Sequence, residues 1–497
     1  MQNLLTATQM QTVDAYTVKH KEIKSVDLME KAAVAFVNAF IEEFENEDSR
    51  IAIFCGRGNN GGDGLAIARL LSARNYKNLS VYLIGFGSKQ SDDNVVNLKR
   101  LQDLNTLIKE INNVDEIGII ESDLIIDAIL GSGLNKPLTD QYAALAKLIN
   151  DFNVKVIAVD VPTGFNSEGQ IPPNYNGVVA DLAICFQLPK INFFFPESVL
   201  VLKRFKVVDI GLDEDFINLQ STDFKMVEHA DAAKLIKPRT NFTHKGTYGH
   251  ALIIAGNTNT MGATLLATSA CLHSGAGLTT VCLPQSGLTA LNIMLPEAMA
   301  LPRGKDVETN AFDKYRALAI GPGLGVEEEE MKYLTEAIGT KKPLVIDADA
   351  LSLLSHNKDL LEKLTPNTIL TPHVKEFDRL FGEHEDWWQR VQTARAKAQE
   401  LNIVIVLKNQ YTFICLPTGE VCINQTGNPA MASGGMGDVL TGILVSLLAQ
   451  GYSAKDAAIL GVYLHGKAGD DLAEQSFCTT ASQVALQLPK TMKTLLD

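Results

Sequence analysis

Short apolar runs alternate with longer amphipathic segments along almost the whole chain. Residues 50–55 (RIAIFC), 79–84, 123–130, 155–161 and 181–186 are apolar at successive positions, which predicts strands covered on both faces. Residues 8–20 and 28–44 carry apolar side chains at helical spacing, so two helices are predicted ahead of the first strand. Helical segments lie between several of the strands. This alternation predicts a mainly parallel sheet whose ligands collect beyond the carboxyl ends of its strands. After FKVVDIG the pattern breaks into the polar, acidic stretch LDEDFINLQSTDFKMVEHADAAKLI, which places a boundary near Thr222. The alternation then resumes at residues 250–255, 278–283, 316–320, 344–346, 368–370 and 403–407, and an apolar helix is predicted over 439–448. No internal repeat of fixed period relates the halves. The expectation is two α/β domains, residues 1–221 and 222–497.

Composition narrows this picture. A chain of 497 residues is too long for one ordinary core, and 46% hydrophobic with 21% charged residues leaves no shortage of core formers. The net charge of −14 argues against a nucleic-acid binder, which needs clustered Lys and Arg. Six of the 7 Cys lie inside apolar runs (Cys55, Cys185, Cys271, Cys282, Cys415, Cys422) without a C-x-x-C pair, the pattern of buried thiols in a reducing compartment. There is no basic leader with an apolar core, and no run of about 18 apolar residues. A cytoplasmic protein without membrane partners is expected.

The chemistry sits at the predicted strand ends. In the first half these are GRGNNGGDG, with Asn59, Asn60 and Asp63; DAILGSGLNKP, with Asp127; and DVPTGFN, with Asp160 and Thr163. Each cluster alone could be loop capping, but three together point to a site. Residues 56–61 match G-x-G-x-x-G, yet the next strand, LSVYLIGFG, ends without the acidic residue that would bind a ribose. What remains suits a hard cation and an anionic or polyol ligand.

In the second half the richest stretch is NPAMASGGMGDVLTG, residues 428–442, a glycine-rich turn running into a helix. Gly434, Gly435 and Gly437 would let backbone N–H groups turn onto a phosphate, with Asp438 beside the anion; a glycine turn with Asp438 as an N-cap is the plainer alternative. His373 in TPH reads equally as a hydrogen-bonded turn residue or a functional one. Asp347 and Asp349 in DADA could ligate metal or cap a helix. Lys408 closes an apolar strand and needs an anion, either a phosphate or a carboxylate such as Asp438 or Glu376.

NNGGDG, DAILGSG and DVPTG, followed by LPKINFFF, resemble the N-terminal domain of the YjeF family, the NAD(P)H-hydrate epimerases. The resemblance implies that Asn60, Asp127 and Thr163 bind a monovalent cation, K+, with Thr163 standing where the family usually has Ser. It implies that Asn59, Asn60, Gly61, Gly62, Asp63, Gly131, Ser132, Gly133, Leu134, Asn135, Lys136, Pro137 and Asp160 line the pocket for the hydrated dinucleotide. HKGTYGHALIIAG, GPGLG, DADAL, TPH and NPAMASGGMGDVLTG resemble the YjeF C-terminal domain, the nucleotide-dependent NAD(P)H-hydrate dehydratases. That likeness implies that Lys408, Asn409, Gln410, Tyr411, Thr412 and Gly437 contact the nucleotide, and that Ala263, Gly323 and His373, with Asp438, face the hydrate. For Gly323 the neighbouring Gly325 is an alternative.

The fold class implied is a Rossmann-like doubly wound sheet followed by a ribokinase-like α/β domain. The activity implied is interconversion of R and S hydrates of NADH and NADPH, then dehydration of the S hydrate with release of phosphate. Asp160 is the candidate proton-transfer residue of the first step, with Lys190 a second candidate, and Asp438 is the candidate base of the second. Mg2+ and ADP or ATP accompany the second step, ADP being favoured, and a homo-oligomer is expected. A small-molecule kinase would share the glycine turn and Asp438, and a non-catalytic scaffold would share the first fold.

Overall fold

The apolar runs of the first half become strands because each is buried by layers on both sides. They are β1 (Ile51–Cys55), β2 (Leu79–Ile84), β3 (Ile108–Ile111), β4 (Leu124–Ala128), β5 (Lys155–Val159), β6 (Leu182–Phe186) and β7 (Phe205–Val208). All pair in parallel, in the order β3-β2-β1-β4-β5-β6-β7. β1, β4 and β6 are buried at every position. The edge strands β3 and β7 were not predicted; IKEI and FKVV are half exposed and lack the continuous apolar signature of the centre. The chain winds outward from β1 through β2 to β3, then returns to the other side of β1 as β4. The crevice outside the carboxyl ends of β1 and β4 is therefore the topological switch point, where an open parallel sheet binds its ligand.

The computed structural model describes residues 1–86, 89–104, 106–133, 136–304 and 310–496. They divide into two compact units, Asn3–Thr222 with Asp386–Trp388, and Met1–Gln2 with Asp223–Glu385 and Gln389–Asp497. Among the described residues no helix is long and apolar enough to cross a membrane.

The second unit is built on β8 (Phe224–Val227), β9 (His250–Ile254), β10 (Leu278–Leu283), β11 (Met299–Pro302), β12 (Ala317–Ile320), β13 (Leu344–Ile346), β14 (Thr368–Leu370), β15 (Val404–Leu407), β16 (Thr412–Cys415) and β17 (Val421–Asn424). They lie in the order β8-β17-β16-β15-β14-β13-β12-β9-β10-β11. Pairing is parallel except that β16 runs antiparallel to both β15 and β17. Six of these strands were predicted; β8, β11, β16 and β17 were not, and of these β11 is largely exposed.

One helix, Met436–Ala449, is buried continuously from Val439 onward, as its unbroken apolar sequence requires. It packs on the helix Met261–His273 and on β9, β12 and β13. Gly442 permits that approach: a Cβ there would overlap the Ala267 carbonyl oxygen and stand 2.8 Å from the Ala270 Cβ. Overpacking of this kind costs about 1–3 kcal/mol. Gly442→Ala should therefore lower the thermal midpoint of the second unit by about 2–4 °C per kcal/mol lost. Gly339→Ala, at a helical position with open space around its Cβ, should leave the midpoint unchanged or slightly raised, and scanning calorimetry of the two variants checks the contrast.

Candidate active sites

At the switch point of the first sheet the chain turns through residues 56–58 and enters the helix Asn59–Ala73. The predicted glycine loop is thus shorter than expected, because Asn59, Asn60, Gly61, Gly62 and Asp63 already form helical turns. Gly61 and Gly64 serve close approach rather than unusual backbone, since neither has a positive φ. A Cβ on Gly61 would overlap the Gly56 carbonyl oxygen, and one on Gly64 would lie 2.8 Å from Cys55 Sγ. Asn94, which nothing in the sequence singled out, braces the turn: its Nδ2 donates to the Gly56 and Gly58 carbonyls, both at 3.0 Å.

Asp127, at the end of β4, is fully buried. Its Oδ1 accepts from Thr163 Oγ1 at 2.7 Å and from the Ile129 N–H at 3.3 Å, and its Oδ2 accepts from the Thr163 N–H at 2.7 Å. Burial pushes this carboxyl up to about 6, the Thr163 and Ile129 hydrogen bonds opposing. The Leu130 N–H donates to Thr163 Oγ1 at 3.0 Å, which ties the two strand ends together. The Asn60 side chain lies against Gly131, where a Cβ would meet its Cβ, Cγ and Oδ1 at 3.2–3.4 Å, and its Nδ2 is buried without a partner. Asp127 and Thr163 are therefore brought together, and Asn60 lies against Gly131 in the adjoining loop. In the remainder of that loop Ser132 is half-buried while Gly133, Lys136 and Pro137 are exposed; Leu134 and Asn135 lie outside the described residues.

Asp160 follows β5 with a left-handed φ of 64°, a conformation Asp tolerates better than most residues. Its Oδ1 accepts from the Phe186 N–H at 3.0 Å and pairs with Lys190 Nζ at 2.8 Å. Burial works against the Lys190 ammonium, but Asp160 and Cys185 outweigh it and hold the pKa above its usual value. Two further carboxyls feel this pair. Burial pushes Asp14 up to about 6, with Lys190 opposing and Asp160 adding to the rise. Asp63 is driven well above the carboxylate range by burial and by Asp160, Asp14 and Asp93. Asp14 was not among the predicted site residues; it is carried by the helix Ala7–His20, whose Gln11 Nε2 lies 3.7 Å from a Cβ placed on Gly133.

In the second unit the turn ahead of Met436–Ala449 ends at Gly435, which is left-handed (φ 90°) and packed so closely that a Cβ would overlap Leu266. Asp438 lies inside the first helical turn, so the N-cap reading does not hold. A Cβ on Gly437 would stand 3.4 Å from Lys408 Nζ and 3.8 Å from Asp347 Oδ2. Lys408 Nζ pairs with Asp347 Oδ1 at 2.8 Å, and Thr441 Oγ1 donates to Asp347 Oδ2 at 2.7 Å. Neither Asp438 nor Glu376 is the ion-pair partner: the carboxylate that meets Lys408 is Asp347. It precedes the helix Ala348–His356 without a side-chain cap bond, because both its oxygens point inward instead. Asp349 accepts from the Gly325 N–H at 2.9 Å.

Burial pushes the Asp438 carboxyl up to about 6; Asp347 adds to the rise, Lys408 opposes it, and Asp349 adds a smaller push. Burial disfavours the Lys408 ammonium, but Asp347, Glu376 and Asp438 more than compensate and its pKa is raised. Lys408, Asn409, Gln410, Thr412 and Gly437 line a cavity of ≈ 480 Å³ with apolar walls at Met431, Met436, Leu440 and Val462. Tyr411 stands half-buried in the same turn.

The predicted hydrate-facing residues occupy neighbouring strand ends. Thr260 donates to the Gly323 carbonyl at 2.6 Å and its own carbonyl accepts from the Ala263 N–H, so those two positions adjoin. Gly323 (φ 55°) could not carry a Cβ, which would stand 2.8 Å from Thr260. His373 is exposed and caps the helix Val374–Phe381: its Nδ1 accepts from the Lys375 and Glu376 N–H groups at 3.1 and 3.3 Å. Among the described residues no group of three or more His, Cys, Asp and Glu converges as a metal site.

The Asp127–Thr163 contact has a direct test. Thr163→Val leaves the buried carboxylate one hydrogen bond short and should cost about 1–3 kcal/mol in urea unfolding of the first unit, whereas Thr163→Ser should restore most of it.

Comparison with known proteins bears on both sites. The family model of the YjeF-related protein N-terminus matches residues 25–192, and that of NAD(P)H-hydrate dehydratase matches residues 251–490. The bifunctional NAD(P)H-hydrate repair enzyme of Moorella thermoacetica is 33% identical over 498 residues, 95% of this chain and 93% of that protein. Its counterpart from Escherichia coli K12 is 33% identical over 451 residues, 90% and 84% of the two chains. A crystal structure of a ribokinase-like superfamily protein from Enterococcus faecalis is 31% identical and superposes with a TM-score of 0.52, covering 56% of this chain and 98% of that one. The second unit is thus ribokinase-like. With both halves matched in order and identity held across nearly the whole of each relative, this protein belongs to the family of bifunctional NAD(P)H-hydrate repair enzymes.

Proposed function

We propose that residues 1–221 epimerise the hydrates of NADH and NADPH and that residues 222–497 dehydrate the S hydrate at the expense of ADP or ATP. The observation that carries this reading is Asp438: a carboxyl raised to about 6, in the first turn of a helix behind a left-handed glycine, beside the Lys408–Asp347 pair and next in sequence to Gly437, which with Lys408 lines a nucleotide-sized cavity.

In the hydrate, water has added across a ring double bond and left a hydroxyl on the carbon beside the ring nitrogen. Hydroxide is a poor leaving group. Asp438 takes the hydroxyl proton as its oxygen attacks the terminal phosphoryl group, and the bond from phosphorus to the nucleotide breaks. The N–H groups at residues 435–438 and the Lys408 ammonium face the charge that develops on the phosphoryl oxygens. Phosphate then leaves from carbon, a proton leaves the adjacent carbon, and the reduced dinucleotide is restored. Mg2+, where it accompanies the nucleotide, would supply counter-charge to its phosphates.

In the first unit Asp160, oriented by Phe186 and Lys190, moves the proton that lets the hydroxyl-bearing carbon open and reclose on the opposite face. Asn60, Asp127 and Thr163 fit a monovalent cation such as K+ by the chemistry of their donors, which are amide, carboxylate and hydroxyl oxygens. A bound cation there would supply positive charge at the switch point and order its loops. Gly131, Asn59 and Asp63 would adjoin the dinucleotide.

The decisive experiment adds ADP or ATP to a mixed hydrate and follows the reduced-nicotinamide absorbance together with free phosphate. Equal rise of both is expected, whereas a stable phosphorylated product would mark a kinase instead. Asp438→Asn should abolish that rise while epimerisation continues, and normal dehydration by this variant would remove Asp438 from its role. Asp160→Ala should stop turnover at the S fraction of the mixture, as chiral separation of the residual hydrate would show. The acid limb of the dehydration pH profile should fall near 6, because a protonated Asp438 cannot act as base. Asp347→Asn removes the negative charge that raises Asp438, so the limb should move to lower pH.

A further inference from the structure

The helix Ala7–His20 is held against the loops that leave β4 and β5. The Glu168 carboxylate accepts from the Ala7 N–H in its first turn, at 3.2 and 3.1 Å, and Gln11 Nε2 lies 3.7 Å from a Cβ placed on Gly133. The helix is fixed in rotation by its other contacts. Val13 and Thr17 are buried, Thr17 Oγ1 accepts from the Asp213 N–H at 3.1 Å, and Tyr16 stacks on Phe216 with ring centroids 3.7 Å apart. Residues 7, 11 and 14 follow one another at spacings of four and three, which puts them on one side of a helix. The side that meets the strand-end loops therefore carries Asp14.

The Asp14 carboxyl accepts no hydrogen bond and joins no ion pair among the described residues, yet its oxygens are not shut off from water. It is open to a ligand. Asp160 offers a matching atom: Oδ1 is engaged by the Phe186 N–H and the Lys190 ammonium, while Oδ2 has no partner and stays accessible. The two carboxyls feel one another, since burial pushes Asp14 up to about 6 with Lys190 opposing and Asp160 adding to the rise. Asp63 and Glu168 are the further acids near this group, the first acted on by Asp160 and Asp14 and the second by Lys190. Asp160 and Asp14 are thus unlike. One is paired with a cation and the other has none of its own, so a proton available to both resides on Asp14.

Opening and reclosing the hydroxyl-bearing carbon moves two protons. The hydroxyl O–H breaks as the carbon–oxygen double bond forms, and the carbon–nitrogen bond breaks with its electron pair left on the ring nitrogen, which takes up a proton. A lone carboxylate would have to serve both atoms in turn. We propose that Asp14 is the second proton-transfer residue of the epimerase: it gives its proton to the ring nitrogen as Asp160 takes the proton of the hydroxyl. The freed aldehyde then turns, the nitrogen attacks its other face, and both protons return. Nothing is oxidised or reduced, and no water is consumed. The proposal rests on the reading that Asp160 serves the epimerisation.

Timed chiral separation of the two hydrates, with the full-length protein, tests it. Asp14→Asn should lower kcat for interconversion about 100-fold, as loss of one positioned acid does, with KM within about twofold. Asp14→Glu, which keeps the carboxyl, should recover about tenfold of that loss. The asparagine variant should also melt no lower than the wild type at pH 8, because a carboxyl whose pKa is raised by burial costs stability when ionised and its neutral replacement does not. A variant that melts lower or fails to fold makes Asp14 a structural residue and overturns the proposal, as does a normal kcat. Interconversion in water enriched in oxygen-18 is the second readout. Ring opening keeps the hydroxyl oxygen, whereas one label gained per inversion means that hydroxide leaves and returns, and no proton is then needed at the nitrogen. Interconversion that survives in Asp160→Ala rejects the reading of Asp160 itself; an inactive Asp160→Ala beside a normal Asp14→Asn rejects the second residue alone.

Discussion

The second unit depends on one ion pair between a buried carboxylate and a half-buried ammonium. Asp347 closes β13, Lys408 closes β15, and Thr441 belongs to the central helix, so the two bonds from Asp347 join two strand ends to the helix that delivers Asp438. Such a pair is weak evidence for stability, because taking both charges out of water costs about as much as their attraction returns. Its value here is positional and electrostatic. With Asp347 engaged by Lys408, the ammonium stays beside Gly437, and the residual negative field falls on Asp438. Remove either partner and a charge is left without its answer beside Gly437, where the proposed phosphate would sit.

Both glycine-rich turns open helices, yet the glycines do different work. In the first unit they allow contact, since Gly61 meets the Gly56 carbonyl and Gly64 meets Cys55 without any left-handed backbone. In the second, Gly435 supplies the left-handed residue that aims the first N–H groups of Met436–Ala449 outward, and Gly442 further along lets that helix sink onto Ala267. The first arrangement brings amide and carboxylate oxygens together, and the second exposes N–H donors. One therefore suits a cation and the other an anion, from much the same residue types.

The strands that bear the sites were legible in the sequence because they are central and almost continuously apolar, as in β1, β4, β9 and β13. The edges were not, since IKEI and FKVV carry exposed lysines and no continuous apolar run. Motif residues at strand ends could be found by their order along the chain, as with Asn60, Asp127 and Asp438. Partners could not: Asp347 was open between cap and ligand because nothing local says which way a carboxylate at a strand end will turn. Asp14 and His465 lie mid-helix and Asn94 in the first turn of its helix, all far from any motif, and only the packing of their helices brings them to a site.

The two sites share a logic of charge. Each holds one ammonium against more than one carboxyl: Lys190, buried, beside Asp160 and Asp14, and Lys408, half-buried, beside Asp347, Asp438 and Glu376. A single cation can neutralise one carboxylate fully, and the acids in excess are left in a desolvated, negative surrounding. Their proton affinity must rise, and it does so at Asp14 and Asp438, both to about 6, and further at Asp63. A carboxyl brought close to neutral in this way can both take and return a proton at ordinary pH, which an exposed Asp cannot. Burial first, and the excess of acid over base around each lysine second, thus give these carboxyls the proton affinity that the proposed roles require.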